Sequence, residues 1–213
     1  VTGGKHILSS IVSSQNDIHR KYGGVVPELA SRKHIEAINI VIGEALSQAG
    51  ISLDKVDVVS VTNRPGLIGS LLVGVGAAKA ISYARKIPLV AVNHLKAHLF
   101  SNLLAHPEMD GDFIGLIVSG GHSSIYQVDP EFNIIQLGHT LDDAAGEAFD
   151  KIARYLNLGY PGGPVIDKLS KKGDENFIDF PRPMWDSGDF NFSFSGLKTA
   201  LIYLTKKNKD LVT

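Results

Sequence analysis

The chain has 213 residues, 44% hydrophobic and 20% charged, with 22 Asp and Glu against 21 Lys and Arg for a net charge of -1. This is an ordinary globular composition with enough apolar residues for a sizeable core in one or two domains, and its near-neutral charge gives no global basic field, so any nucleic-acid contact must use a local patch. Cysteine is absent, which excludes disulfides and thiolate metal sites and leaves His, Asp or Glu to ligate any metal.

No apolar run approaches the roughly 20 residues of a membrane span. Val1 to Ser10 carries no signal-peptide pattern. A cytoplasmic location without membrane contact is the expectation. Lys5 to Ser14 is rich in β-branched residues and reads as a strand. Tyr22-Gly23-Gly24-Val25-Val26-Pro27 is a turn, and Pro27 sits where a helix can begin, because its missing N–H would have no partner in a first turn. From Glu28 to Ala49 the apolar positions Leu29, Ile35, Ile38, Val41, Ile42, Ala45 and Leu46 keep helical spacing, and Gly50 stops the helix. Val56 to Val61 reads as a short strand of a parallel sheet covered on both faces.

Thr62 to Ser70 is a loop followed by a small-residue helix to Arg85. Strand, glycine loop and helix start can offer free backbone N–H groups to an anion, but the Gly-Lys-Ser/Thr ending of a P-loop is absent. Close helix packing at Gly69, Gly74 and Gly76 is the preferred reading of this loop. Ile87 to Val92 is a further strand. His94-Leu95-Lys96-Ala97-His98 then opens a helix, Leu95 to Leu104. Histidines four apart lie one turn above each other on the same helix face, and that spacing lets both imidazoles reach one metal ion. The alternative is a pair of half-exposed surface histidines. Leu95 stands where a metallopeptidase helix carries its general-base glutamate, which speaks against that chemistry.

His106 to Asp112 is a polar turn, and Phe113 to Ser119 a buried strand that runs into Gly120-Gly121-His122. Ser123 to Asp129 and Ile134 to Leu137 alternate like an antiparallel pair. A strand ending in Ser-Gly-Gly suits close backbone approach by a ligand, since glycine has no Cβ and can adopt positive φ; a plain hairpin turn is the alternative. Leu141 to Lys151 begins a helix that continues to Leu156, with Asp142 and Asp143 as its caps and Asp150 mid-helix beside Phe149. Gly159 to Pro164 is a rigid turn, and Val165 to Lys171 a helix with Asp167 in its first turn, as a cap or a ligand contact. Lys172 to Asn191 breaks into Gly, Asp, Pro and aromatic residues, the mark of a functional loop or an interaction surface. The last helix follows Phe192-Ser193-Phe194-Ser195 and ends in Lys206, Lys207 and Lys209, which cap its negative pole or join an RNA-facing patch. Alternating strands and helices make the class α/β in at least two lobes, divided at the His94 junction into 1–93 and 94–213.

Six segments occur in one order: Arg64-Pro-Gly-Leu-Ile-Gly-Ser, Asn93-His-Leu-Lys-Ala-His, Val118-Ser-Gly-Gly-His, Thr140-Leu-Asp-Asp-Ala-Ala-Gly-Glu-Ala-Phe-Asp-Lys, Gly159-Tyr-Pro-Gly-Gly-Pro and Phe192-Ser-Phe-Ser-Gly-Leu-Lys-Thr. Together they resemble the TsaD family of bacterial-type tRNA N6-adenosine threonylcarbamoyltransferases, from Ser14 to Thr205. The resemblance implies the actin-like ATPase fold (ASKHA, ribonuclease H-like), two lobes with the ligand in the cleft. It implies one divalent metal ion, iron(II) in preference to zinc, on His94 and His98, shared with an aspartate nearer the C-terminus. By the same resemblance Ile117, Val118, Ser119, Gly120 and Gly121 lie along an adenylate, and Asp150, Gly163 and Asp167 bind it. The implied activity transfers the threonylcarbamoyl group from threonylcarbamoyl-AMP to N6 of adenosine 37 in tRNAs reading codons that start with A, with TsaB-like and TsaE-like protein partners. The family begins with an acidic strand that this chain lacks, and continues past Thr213 to an asparagine for the nucleotide and the aspartate of the metal site. On that reading the chain is an internal fragment of an incomplete fold, inactive alone. The rivals are an ATP-dependent kinase of the same fold and a non-catalytic scaffold paralogue, which would lack the metal histidines.

Overall fold

The structure, a computed structural model, describes residues 1–109 and 111–208. Asp110 of the polar turn and Lys209 of the basic end lie outside the described residues. The chain forms two compact units, Val1–Met109 and Asp110–Thr213. The division falls at Met109, whereas the sequence reading drew it at residue 93; the helix that starts at His94 packs on the strands before it.

The first unit contains α1 (Asn16–Arg20), α2 (Pro27–Ala49), a 3-10 turn at Leu53–Lys55, β1 (Val59–Arg64), α3 (Ile68–Arg85), β2 (Leu89–Asn93) and α4 (His94–Ala105). Pro27 occupies the first turn of α2, and Gly50 ends it at φ 67°, donating to the Leu46 and Ser47 carbonyls. This is the left-handed stop that glycine makes without steric cost. β1 and β2 pair in parallel, Val59 opposite Leu89 through Arg64 opposite Asn93, and α3 is the crossover between them. α3 packs on α2 and on β1. Gly69 makes the α2 crossing possible, since a Cβ there would overlap Ser31 Oγ, while Gly76 has no neighbour that a Cβ would meet. The close-packing reading of this glycine set therefore holds at Gly69 and not at Gly76.

Three expectations for this unit are corrected. Lys5 to Ser14 is not a strand: it has one isolated bridge, Thr2 to His6, and no ladder among the described residues. β-branched composition favours an extended chain, but a strand exists only where a neighbour takes its hydrogen bonds. The strand expected at Val56–Val61 lies three residues later, because Leu53–Lys55 coils into the 3-10 turn first. The sheet is also not covered on both faces, for Leu89 and Val90 of β2 are exposed.

The second unit contains β3 (Phe113–Val118), β4 (Ser123–Val128), β5 (Ile134–His139), α5 (Ala145–Tyr155), α6 (Gly162–Ser170) and α7 (Ser195–Lys207). The strands form an antiparallel sheet in the order β3-β4-β5. The β4–β5 turn is held by the Asp129 carboxylate, which accepts from the Asn133 amide N–H at 2.7 Å and from its side chain at 2.9 Å. Ile117, Tyr126 and Val128 are buried, as are Ala144, Ala145, Ala148 and Ala153 around α5. Phe192 forms a parallel bridge with Thr140, and its backbone bonds to His139 and Leu141. The end of the 171–194 loop thus lies along the β5–α5 connection. Gly138 allows that approach, since a Cβ there would overlap the Phe190 backbone. α5 starts at Ala145 instead of Leu141, and α6 at Gly162 instead of Val165. Among the described residues no helix is long and apolar enough to cross a membrane.

Candidate functional site

In the first unit, β2 delivers Asn93 to the start of α4. Its side-chain oxygen accepts from the N–H groups of Leu95 at 2.9 Å and Lys96 at 3.2 Å, satisfying two donors that a helix start leaves open. That cap fixes His94 as the first helical residue and His98 one turn on. The two rings meet edge to face with centroids 4.4 Å apart, and their Nε2 atoms are 3.2 Å apart. Two nitrogen ligands at about 2.1 Å from one ion have this separation when they subtend about 100°. The donor pair therefore fits a borderline divalent cation such as iron(II) or zinc. Among the described residues no group of three His, Cys, Asp or Glu side chains converges, so His94 and His98 are the two candidate donors that lie together.

In the second unit, β3 ends in the Ser119-Gly120-Gly121 turn. The Ser119 N–H donates to the His122 carbonyl at 2.8 Å, and the Ser119 hydroxyl accepts from the N–H groups of Gly121 at 3.3 Å and His122 at 3.0 Å. The turn is thus built by its own serine. Neither Gly120 nor Gly121 has positive φ, which corrects the conformational reason given for them, and a Cβ on either would meet nothing within 4 Å. Their lack of a side chain leaves open space beside the turn. Ile117 is buried in the β3–β4 ladder opposite Ser124, and Val118 is exposed.

The turn rests on the start of α5. The Gly146 N–H donates to the Ser119 carbonyl at 3.1 Å, and a Cβ on Gly146 would overlap Ser119 and Gly120. One turn further along α5, Asp150 Oδ1 accepts from the Gly162 N–H at 2.7 Å and so caps α6 from outside. Gly162 lies against Phe149, Asp150 and Ala153. Gly146 and Asp150 are four residues apart, about 6 Å along one helix. The structure therefore brings the Ser-Gly-Gly turn, Asp150 and the Gly162-Gly163 start of α6 to one side of α5. Gly163 faces open space. Asp167 is not in the first turn of α6, as the sequence reading had it, because that helix begins earlier. Its carboxylate is exposed and pairs with Lys171 at 2.9 Å; it makes no hydrogen bond to Asp150 or to the turn among the described residues.

Asp142 and Asp143 do not cap α5, whose N-cap Ala144 has no side-chain bond. Asp142 accepts from the Ser193 hydroxyl and from the N–H groups of Phe194 at 2.8 Å and Ser195 at 3.2 Å, so it caps α7. Partial burial pushes its pKa up, but the Ser193 and Ser195 hydroxyls and the two N–H groups outweigh that and hold it well below the usual carboxylate range. Asp143 binds Lys151 of α5 and Lys198 of α7, each at 2.6 Å. Burial opposes its ionisation and the two ammonium groups overcome it, so its pKa is lowered. Its partner Lys151 is raised by Asp143 and Glu147. The sequence reading missed this cluster. Its one local signal was the Ser-Phe-Ser-Gly-Leu-Lys run, whose partners lie more than fifty residues upstream.

Residues 6–212 match the family described as TsaD: tRNA N6-adenosine threonylcarbamoyltransferase. The chain belongs to the TsaD family. With that membership goes the actin-like ATPase fold, to which the mixed α/β content of both units conforms. The tRNA N6-adenosine threonylcarbamoyltransferase of Thermosipho africanus is 56% identical over 97% of this chain and 63% of its own length. That of Geobacter sulfurreducens is 56% identical over 97% of this chain and 61% of its own. That of Clostridium perfringens is 50% identical over 99% of this chain and 63% of its own. The chain thus spans somewhat over three fifths of the length of these relatives. YeaZ from Pseudomonas aeruginosa overlaps 48% of this chain and 49% of its own at 19% identity and a TM-score of 0.37, too slight a likeness to bear on function.

Proposed function

We propose that, in the whole protein, these residues serve transfer of the threonylcarbamoyl group from threonylcarbamoyl-AMP to N6 of adenosine 37 in tRNAs reading codons that start with A. The observation that carries this is the unbroken family match over residues 6–212. The N6 amine attacks the carbamoyl carbon, the bond from that carbon to the phosphate oxygen breaks, AMP leaves with the electron pair, and the amine gives up a proton. N6 is a weak nucleophile, since its lone pair is delocalised into the ring, so positioning supplies much of the acceleration. The target base sits in an anticodon loop, where bases unstack more easily than in a duplex.

Asp150 and Asp167 accept hydrogen bonds from the ribose hydroxyls, and Gly163 gives the nucleoside room. The backbone of Ile117, Val118, Ser119, Gly120 and Gly121 runs along the adenylate, with the open side of the Ser-Gly-Gly turn beside its phosphate. His94 and His98 hold a divalent ion, iron(II) in preference to zinc. When bound, such an ion supplies Lewis-acid polarisation and a template for the acyl group. The two-ligand donor set and its 3.2 Å nitrogen separation support this assignment. TsaB-like and TsaE-like proteins are the proposed partners, and the cytoplasm, where tRNA is modified, the proposed location.

The test uses the full-length protein with its partners, given threonine, bicarbonate, ATP and unmodified tRNA. Threonylcarbamoyladenosine is expected by mass spectrometry of the digested tRNA. The purified protein is also expected to carry iron or zinc that His94→Ala removes, read by elemental analysis. No modified nucleoside, under conditions in which an established system forms it, would end the assignment.

A further inference from the structure

From Val58 to Pro107 the chain contains no aspartate or glutamate. This stretch supplies β1, α3, β2 and α4, and with them His94 and His98. Its fixed charges are Arg64, Lys79, Arg85, Lys86 and Lys96. Arg85 pairs with Asp54 and, with Lys86, closes α3 at the end of the sheet where β2 begins. Lys96 is two residues from each histidine, about 200° round α4 from both. Arg64 ends β1, at the C-terminal edge of the parallel strands, where open α/β sheets take their ligands. The register slips between Thr62 and Arg64, so Asn63 is passed over and Arg64 comes opposite Asn93, the residue before His94. Pro65 then restricts Arg64 to extended backbone. Paired strands are about 4.8 Å apart and successive Cα atoms about 3.8 Å, so the Cα atoms of Arg64 and His94 lie within about 9 Å, a gap that their two side chains can bridge. Arg64 is exposed, and its guanidinium makes no ion pair or hydrogen bond among the described residues. A histidine pair suited to a divalent ion thus has an unengaged cation beside it and no carboxylate on the elements that carry it. Such a site calls for an anionic ligand.

We infer that Arg64 binds the carboxylate of the amino-acid part of the acyl donor, and so selects an N-carbonyl amino acid over a neutral acyl group. This rests on the function proposed above and adds a specificity residue to it. Threonylcarbamoyl-AMP has two anionic groups. The phosphate is assigned to the Ser-Gly-Gly turn of the second unit, which leaves the carboxylate to find a cation elsewhere. It lies only a few bonds from the acyl carbon, which the proposal sets against the ion on His94 and His98. A partner for it therefore has to stand beside that pair, as Arg64 does. The guanidinium offers two parallel N–H donors that match the two carboxylate oxygens, a fork that lysine lacks.

The experiment titrates N-carbamoyl-L-threonine and, separately, its neutral carboxamide into metal-loaded full-length protein by calorimetry at low ionic strength, with wild type, Arg64→Met and Arg64→Lys. Wild type is expected to bind the acid more tightly than the amide. Arg64→Met is expected to weaken the acid about tenfold, the worth of a hydrogen bond to a charged group, and to leave the amide unchanged. Arg64→Lys is expected to recover only part of the loss, because it keeps the charge without the fork. All three proteins are expected to hold the same metal by elemental analysis. Equal weakening of both probes, or unchanged affinity for the acid, overturns the inference. AMP and tRNA are titrated alongside, and weakening of either with the acid unaffected gives Arg64 to a phosphate and overturns it too. Wild type that holds metal and forms threonylcarbamoyladenosine but does not prefer the acid overturns the inference alone. Wild type that does neither ends the proposed function, and the inference with it.

Discussion

Asp142 sits on a connecting segment of the second unit, yet it supplies the cap of a helix that begins more than fifty residues later. One oxygen receives the Phe194 and Ser195 N–H groups and the other the Ser193 hydroxyl. Its folded pKa lies below the unfolded value, as the donors overcome partial burial. Such a group contributes stability that is complete above the unfolded carboxylate pKa of about 3.9 and is lost as pH falls through the depressed folded value. Asp142→Ala should cost about 1–2 kcal/mol at neutral pH, the worth of a helix cap. Asp142→Asn should cost less, because its amide oxygen still accepts from the two N–H groups. Urea unfolding at a series of pH values checks this. The gap between wild type and Asp142→Ala should stay constant from neutral pH down to about 4 and narrow below it. A gap independent of pH, or none, would show that the carboxylate does not hold α7.

At the scale of elements, two adjacent glycines should behave oppositely. A Cβ on Gly162 would overlap the Phe149 carbonyl, Asp150 Cα and Ala153 Cβ, so Gly162→Ala must push α6 off α5 and break the Asp150 cap. Overpacking of this kind costs about 1–3 kcal/mol, and the melting temperature should fall accordingly. Gly163 has nothing within 4 Å of its would-be Cβ and lies inside a helix, where alanine is favoured over glycine by up to about 1 kcal/mol. Gly163→Ala should be neutral or stabilising to the fold, and should weaken adenosine binding if the nucleoside lies there. Loss of stability at Gly163 together with tolerance at Gly162 would reverse the proposed geometry. The same helices show what was legible in the sequence. α2 was readable at both ends because Pro27 and Gly50 act locally, and the facing of His94 and His98 because four-residue spacing alone sets it. The start of α6 was not, because its cap comes from Asp150 on another helix. The start of α5 was misread because its neighbouring acids look like local caps and serve α7 instead. Lys5 to Ser14 had strand composition, but composition cannot supply a ladder partner. For the candidate site, the residue types and the His spacing were readable. The diversion of Asp142 and Asp143 depends on contacts across the unit and was not.

At the scale of the whole molecule, the accessible surface is 14454 Å² for 22.9 kDa. Two separate compact bodies of half this mass would together expose about 11,600 Å², and a single one about 9,600 Å². Large apolar side chains are exposed in both units: Ile35 and Ile40 on α2, Leu72 and Tyr83 on α3, and Phe177, Trp185 and Phe190 in the long loop of the second unit. Among the described residues the fully buried side chains are small or medium in size, with alanine prominent among the buried apolar ones. Heat capacity of unfolding follows the apolar area newly exposed, and an unfolded chain of this mass exposes about 1.45 Å² per dalton. Burial on folding is then about a fifth short of that of a single compact body, so the heat capacity change should fall about a fifth below the usual 12–15 cal/mol/K per residue. Scanning calorimetry of the 213-residue chain measures this directly. Binding of a hydrophobic dye to the native chain at neutral pH, below its melting transition, should accompany it, because exposed apolar patches of this extent are sites of association. A full per-residue heat capacity change with no dye binding would mean that these side chains are covered in solution, and that the chain buries its own apolar faces.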